Sequence, residues 1–478
     1  MRPIIFREQL IQSETNWYSS TNSENKYELM HRAAFGIAIS TVSFLRSSYG
    51  YISGSTVLLL VGPGNNGGDA LWAGSFLAKR GIRVQAILIS SDVHEFAFDR
   101  FSKAGGQVIS ASDISAINPH VVLDGIHGLG FHGELESATA ELIAEVSKLA
   151  PIVAIDLPSG LMPDSGLVAD GCVEAQVTLT IGALKPGLLT GEGKSHAGVI
   201  KVIDIGIEYP TQLGNATDLD DLANIFQPPQ LDSHKYSRGV ALAIAGSARY
   251  PGAGVLTVGG ARASGVGLVR IASTAQDFVC QTYPDVVPSN SLEKVTGVVI
   301  GPGDSAEVSA LVNLLKNEVP VVIDAGALAL VNEPDVRALL VDRHAKGQIT
   351  VLTPHDGESS KMGFADTNRI QRSMEMASTY GCLVALKGPG TVIADPNGRY
   401  FIDTFGTSAL ATAGTGDVLS GLIAGTLASH PNQEALFVVA SAVGLHGLAG
   451  RIAGPRCTAV QLPEFLLQAR AQVQDTRE

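Results

Sequence analysis

Short runs rich in Val, Ile and Leu recur along the chain, with helical apolar spacing between several of them. In the first half the runs are Thr56–Val61, Val84–Ile89, Val121–Asp124, Ile152–Asp156, Val177–Ile181 and Val199–Ile203. Each is nearly continuous in apolar residues, the pattern of a parallel strand covered on both faces. Helical patterns at Asp69–Lys79 and Ala138–Leu149 lie between some of them, so the alternation predicts a doubly wound parallel α/β sheet. Residues 206–234 break the rhythm with Pro210, Asp218, Asp220, Asp221, Pro228 and Pro229. The expected organisation is a first domain over 1–214, a linker over 215–230 and a second domain over 231–478.

The rhythm then restarts with Val240–Ala245, Leu268–Ala272, Val298–Ile300, Val321–Asp324, Thr350–Leu352, Leu383–Leu386, Thr391–Ala394 and Tyr400–Ile402. Long helices of small residues are predicted at Asp417–Leu427 and Glu434–Leu448. A second α/β domain follows from this pattern. The two halves share a fold class but no tandem repeat.

Composition narrows the function. The chain has 478 residues, and 33 basic against 46 acidic side chains give a net charge of −13. That balance excludes a sequence-independent nucleic-acid binder, which needs a basic footprint. With 45% hydrophobic and 17% charged residues, a large core is available and disorder is excluded as the main state. Glycine, 53 residues, exceeds the usual ~7% and suggests loops that approach ligands closely. The four cysteines, Cys172, Cys280, Cys382 and Cys457, form no CxxC pair, so neither a zinc site nor a disulfide framework is expected. No basic-then-apolar leader pattern opens the chain, and continuous apolar runs such as Val57–Val61 are too short to span a bilayer. A cytoplasmic protein without membrane or nucleic-acid partners is expected.

In the first half, Thr56–Val61 runs into Gly62-Pro63-Gly64-Asn65-Asn66-Gly67-Gly68-Asp69 and a helix. Glycines between a strand and a helix let backbone N–H groups turn toward an anion at the helix start. Two more strands end in acids, Asp124 before Gly125–Phe131 and Asp156 before Leu157-Pro158-Ser159-Gly160. Strand C-termini line the ligand crevice of an open parallel sheet, so Asn66, Asp124, Asp156 and Ser159 are expected to converge. Carboxylate, amide and hydroxyl oxygens suit an all-oxygen cation site. The alternative for each Asp alone is a helix or turn cap.

These segments, with Lys185-Pro186-Gly187-Leu188-Leu189 downstream, resemble the YjeF N-terminal family, the NAD(P)H-hydrate epimerases, over about residues 1–210. The resemblance implies a Rossmann-like fold. It implies that Asn65, Asn66, Gly67, Gly68 and Asp69, together with Gly128, Leu129, Gly130, Phe131, His132, Gly133 and Glu134, hold the hydrated dinucleotide. It implies K+ on Asn66, Asp124 and Ser159, and Asp156 as the acid/base residue. Two departures stand out: Ala70 follows Asp69 where the family usually has Gly, and His31 replaces a common Glu. Hydrated NAD(P)H carries a hydroxyl at C6 beside the ring nitrogen, so inverting that carbon needs only proton transfers.

In the second half, Ala411-Thr412-Ala413-Gly414-Thr415-Gly416-Asp417 joins a loop to a long helix. Its glycines and the helix start offer N–H groups to a phosphate, and Asp417 can take a proton from an attacking hydroxyl. Lys387-Gly388-Pro389-Gly390-Thr391 reads as a nucleotide-side loop, or alternatively as a hairpin turn with an exposed Lys. His355, after the strand Thr350–Leu352, is placed to contact substrate, and Glu358 to hold Mg2+ through water; capping of a helix start is the alternative for this segment. Asp324 ends another strand, and Gly301-Pro302-Gly303-Asp304 a third.

With His234–Gly239, Ala245-Gly246-Ser247 and Tyr250–Ala253, these motifs resemble the ribokinase-like superfamily. More narrowly they resemble the YjeF C-terminal family, the ADP/ATP-dependent NAD(P)H-hydrate dehydratases, over about residues 225–470. The resemblance implies that Ala253, Gly303, His355 and Asp417 contact the hydrated dinucleotide. It places Lys387, Gly388, Pro389, Gly390, Thr391 and Gly416 on the adenine nucleotide, and makes Asp417 the catalytic base. Gly326 and Ala413 depart from the family pattern. ADP is favoured over ATP as co-substrate.

The expected protein is therefore a bifunctional repair enzyme, epimerising hydrated NADH or NADPH and dehydrating the S form. A homo-oligomer is expected, although the small-residue helices at 252–265 and 417–428 fit a core better than a subunit interface. The alternatives are a vitamin or sugar kinase of the ribokinase superfamily with an accessory N-terminal domain, and a noncatalytic first half.

Overall fold

The computed structural model describes residues 2–21, 27–210, 213–303, 306–366 and 368–475. The chain divides into two compact units, one over residues 3–212 and one over 213–478 with the first two residues.

In the first unit seven parallel strands form one sheet among the described residues. From edge to edge they are Gln107–Val108, Arg83–Leu88, Thr56–Val61, Val121–Gly125, Ile152–Ile155, Val177–Ile181 and Val199–Ile203. Alternation along Thr56–Val61 sends Val57, Leu59 and Val61 into one apolar cluster and Leu58 and Leu60 into another on the opposite face. The order runs outward in both directions from the junction of Thr56–Val61 with Val121–Gly125, and such a reversal opens a crevice at the strand C-termini. This is the Rossmann-like doubly wound architecture.

In the second unit, parallel strands Val287–Pro288, Leu268–Ile271, Val240–Ile244, Gly297–Ile300, Val321–Ile323, Thr350–Leu352 and Leu383–Leu386 lie side by side. An antiparallel extension, Val392–Ala394 and Tyr400–Ile402, continues the sheet. Helices Pro251–Ala263 and Thr415–Ser429 pack on it at contact distance. A Cβ on Gly260 would lie 1.9 Å from Val418 O, and one on Gly421 would lie 1.9 Å from Thr257 O. The two small-residue helices therefore pack against each other within the unit.

Three expectations need correction. The expected linker over 215–230 carries structure. Strand Gly214–Ala216 pairs with Tyr400–Ile402, and helix Leu219–Ile225 buries Leu222 and Ile225 in the second core. Its acids are not linker chemistry: Asp218 and Asp221 form a reciprocal capping box at the helix start. The loop expected through Asp69 is instead helix from Gly64, as described below. Finally, Ala435–Arg456 is long and apolar enough to cross a membrane, although glycines and His446 interrupt its apolar run. Most of it is buried inside the unit, as a core helix.

Candidate functional site

The first unit's site begins where Thr56–Val61 meets helix Gly64–Ala78, whose N-cap is Pro63. Helix starts five residues earlier than the pattern suggested, because the turn fits only without side chains. A Cβ on Gly67 would sit 2.0 Å from Gly62 O, so tertiary fit overrides the poor helix propensity of glycine. Asn65, Asn66, Gly67, Gly68 and Asp69 are thus fixed in the helix's first turns.

Asn66 Nδ2 donates to His127 O at 2.8 Å, while its buried Oδ1 has no hydrogen-bond partner. Asp124 is fully buried and accepts from Ser159 Oγ at 2.6 Å, Ser159 N at 2.8 Å and Ile126 N at 3.3 Å. Burial pushes its carboxyl up to about 6 despite those bonds. Ser159 Oγ also accepts from His127 N at 2.9 Å. The His127 backbone therefore ties Asn66 to Ser159, and Ser159 binds Asp124 directly through its hydroxyl and N–H. An orphaned amide oxygen, a hydroxyl and one desolvated carboxylate form a hard-oxygen donor set that fits a monovalent cation.

Asp156 follows strand Ile152–Ile155 with a left-handed backbone, φ +66°, uncommon for a residue with a Cβ. Its Oδ1 accepts from Lys185 Nζ at 2.5 Å and from Ile181 N at 3.1 Å. Lys185 is fully buried, and its ammonium also donates to Thr180 Oγ1 at 3.0 Å and Ile181 O at 2.5 Å. All three N–H bonds are thereby used. The sequence pattern marked this lysine only as part of a motif; its pairing with an acid 29 residues away has no local signal.

A cavity of about 590 Å³ opens over these groups. Asn65, Asn66, Asp69, Gly128, Leu129, Gly130, Phe131 and Asp156 line it, and so does Glu14 from helix Arg7–Thr21. Asp69 is buried, its Oδ1 has no hydrogen-bond partner, and burial, Asp156 and Glu14 hold its carboxyl well above the usual range. Gly67 and Gly68 do not line the cavity: Gly67 faces the Gly62 backbone, and Gly68 lies behind the His94 and Met30 side chains, which do line it. His132, Gly133 and Glu134 do not either. Phe131 is anchored beside the His127 ring, and the three residues after it turn out to solvent.

In the second unit three neighbouring strand ends converge. Asp324 follows Val321–Ile323, His355 follows Thr350–Leu352 and Lys387 follows Leu383–Leu386. They face the start of helix Thr415–Ser429, whose N-cap Gly414 has φ +92°. With Glu358, Gly388, Gly416 and Asp417 they line a cavity of about 560 Å³. Lys387 Nζ donates to Asp324 Oδ1 at 2.7 Å. A Cβ on Gly416 would lie 3.3 Å from the same Nζ, so the missing side chain leaves the lysine room. Burial opposes charge on Lys387, but Asp324, Glu358 and Asp417 outweigh it and hold the ammonium above its ordinary range. Asp417 is pushed up to about 6, first by burial and then by Asp324 and Glu358, against the opposing pull of Lys387. Beneath it, His446 Nε2 lies 3.0 Å from Thr415 O, and burial lowers this imidazole to about 4. It is therefore neutral, and its N–H donates.

Helix capping and site lining coexist at His355. Its Nδ1 accepts from Gly357 N and Glu358 N, and Glu358 Oε2 accepts from His355 N at 2.8 Å. Lys387–Thr391 is a hairpin turn, but Lys387 is largely buried rather than exposed. Pro389, Gly390 and Thr391 do not line the cavity, because the turn carries them past it. Ala253 and Gly303 do not line it either; they pack on one another, where a Cβ on Gly303 would meet Ala253 Cβ at 2.3 Å. Asp304 lies outside the described residues. Arg369 went unmarked by the sequence pattern. Its Nη2 donates to Leu386 O and Lys387 O, each at 3.0 Å, and its Nη1 pairs with Asp356.

Residues 26–187 match the family described as YjeF-related protein N-terminus, and residues 241–469 the family described as NAD(P)H-hydrate dehydratase. A bifunctional NAD(P)H-hydrate repair enzyme of Mycobacterium leprae is 38% identical over 419 residues, covering 85% of this chain and 86% of that protein. One from Corynebacterium glutamicum is 33% identical over 512 residues, covering 90% and 87%. Among solved structures, an ADP/ATP-dependent NAD(P)H-hydrate dehydratase from Bacillus subtilis, co-crystallised with ATP and Mg2+, is similar at 28% identity and a TM-score of 0.48. It covers 54% of this chain and 98% of its own.

Proposed function

The chain belongs to the family of bifunctional NAD(P)H-hydrate repair enzymes, and from that premise we propose how its two sites divide the work. Its first, Rossmann-like unit is an NAD(P)H-hydrate epimerase, and its second, ribokinase-like unit is an NAD(P)H-hydrate dehydratase.

In the first cavity Asp156 moves protons to and from the C6 hydroxyl, and Lys185 holds that carboxylate in position. Asn65, Asn66, Asp69 and Gly128–Phe131 bind the dinucleotide around it. Asn66, Asp124 and Ser159 would hold K+, whose charge would compensate the buried carboxylate and stiffen the crevice. In the second cavity Asp417 removes the C6 hydroxyl proton and the oxygen attacks the terminal phosphorus of ADP, whose bond to the bridging oxygen breaks as AMP leaves with the electron pair. The phosphate ester then leaves with its C–O electron pair, a proton is lost from C5, and the ring double bond returns. Lys387 and the N–H groups at Gly416 and Asp417 face the transferred phosphoryl group.

The observation that carries this reading is the Asp417 carboxyl, beside Lys387 at a glycine-bounded helix start and raised to about 6. A base of that strength is poised near neutral pH. Among the described residues no group of three or more His, Cys, Asp or Glu side chains is placed to hold a metal. Mg2+ would therefore be held mainly by phosphate oxygens and water, with Glu358 reaching it through water. ADP is the proposed co-substrate, giving AMP and phosphate; the Bacillus relative's ATP and Mg2+ make ATP the competing choice.

The test is to mix purified protein with hydrated NADH and either nucleotide. Return of the reduced-nicotinamide absorbance with AMP and phosphate supports ADP. A stable phosphorylated product without that return would sink the dehydratase assignment.

A further inference from the structure

The epimerase cavity holds one more acid than the scheme above uses. Glu14 lines it from helix Arg7–Thr21, and Asp156 from the turn that follows strand Ile152–Ile155. Asp69 lines it from helix Gly64–Ala78, and its Oδ1 is buried without a hydrogen-bond partner. The only buried ammonium paired with an acid in this cavity, among the described residues, is Lys185, and it is bound to Asp156. Burial and the neighbouring Asp156 both favour the protonated form of Glu14, against Lys185.

Inverting C6 requires oxygen to leave from one face of the ring and to return on the other. A single carboxylate serves one face well and the opposite face poorly. We infer that Glu14 is the second acid/base residue of the epimerase, acting across the ring from Asp156. The Glu14 carboxyl protonates the C6 hydroxyl, and the ring-nitrogen lone pair expels water. The C–O bond breaks with its electrons going to oxygen, leaving an N1=C6 iminium. Water then adds from the Asp156 side; its oxygen forms the new C–O bond, N1 regains its lone pair, and Asp156 takes the proton. One proton leaves Glu14 and one reaches Asp156, and cavity water returns it. The reverse reaction swaps the two roles.

This inference rests on the epimerase reading of the first cavity. The test measures exchange between the R and S forms of hydrated NADH by the full chain without nucleotide. Glu14→Gln should lower kcat by roughly 10²-fold or more while KM stays within about threefold, and Glu14→Asp should restore part of it. Nucleotide-dependent dehydration of the S form should not change. Unchanged kcat in Glu14→Gln, or a rise in KM alone, overturns the inference. If Glu14→Gln does not fold, Glu14→Asp decides: a tenfold loss of kcat supports it and full activity overturns it. If Asp156→Asn also leaves exchange untouched, the epimerase reading of the cavity fails instead.

Discussion

Lys387 Nζ donates to Asp324 Oδ1 at 2.7 Å while its charge also acts on Asp417, so one ammonium couples an acid that follows a strand to an acid in the first turn of a helix. Asp324 raises the Asp417 carboxyl and Lys387 lowers it. Asp417 accepts a proton only when ionised, and its value is about 6. Dehydratase kcat/KM should therefore hold above pH 6 and fall about tenfold per unit below it. Asp324→Asn removes a charge that raises Asp417, so the acid limb should move to lower pH. A pH–rate profile of both proteins checks the sign; a limb that moves upward contradicts it.

The two active sites should fail separately. Asp417→Ala removes the proposed base and should lower nucleotide-dependent recovery of NADH by ~10²–10⁴-fold, leaving epimer exchange intact. Asp156→Ala should stall repair at the R form while the S form is still dehydrated. Chromatography of the epimers beside an absorbance assay reads both. A single variant that stops both reactions without unfolding the protein contradicts the two-site assignment.

Much of this was legible in local pattern and some was not. Thr56–Val61 and Val177–Ile181 are unbroken β-rich runs, and the structure has strands with those bounds. Gln107–Val108 and Val287–Pro288 escaped, because two exposed residues at a sheet edge have no periodicity. Asp218 and Asp221 looked like linker acids because a capping box and a solvated turn use the same residues. In the sites, motif positions on strand ends were readable: Asp124 and Ser159, and Asp324 and Lys387, each meet at hydrogen-bond distance. Glu14, Arg369 and His446 were not. Each sits in or at the start of a helix, where nothing in the local pattern signals a role set by groups outside that helix.

The oxygen set at Asn66, Asp124 and Ser159 gives a cation prediction. Epimer exchange should run faster in K+ than in Li+, which is too small to reach all three ligands and holds its water tightly. Asn66→Ala should weaken that difference by removing the amide oxygen. Exchange rates in matched chloride salts test it, and equal rates in both salts contradict it.

His446 gives a stability prediction with a definite sign. Its imidazole lies at about 4 in the folded protein against an ordinary 6.5. The unfolded chain therefore binds a proton first as pH falls. The stabilisation is complete above pH 6.5 and is lost as pH drops toward 4, a difference of about 3 kcal/mol at most. His446→Gln keeps a donor for Thr415 O and does not titrate. Its unfolding midpoint should drop less than that of the wild type between pH 7 and pH 4.5.

The Asp156–Lys185 pair gives the last prediction. Both side chains are buried, and Lys185 is wholly without solvent. Removing one partner leaves the other charge buried and uncompensated, which costs about 3–5 kcal/mol in such pairs. Lys185→Met should therefore lower thermal stability of the full chain more than Asp156→Asn, which leaves an acceptor oxygen for the ammonium. The double variant should recover part of the loss, since no lone charge remains. Epimer exchange should stay low in all three, because the acid/base residue is either absent or no longer held. Recovery of activity together with stability in the double variant would mean that Asp156 is structural, and would move the proton chemistry to another wall of the cavity.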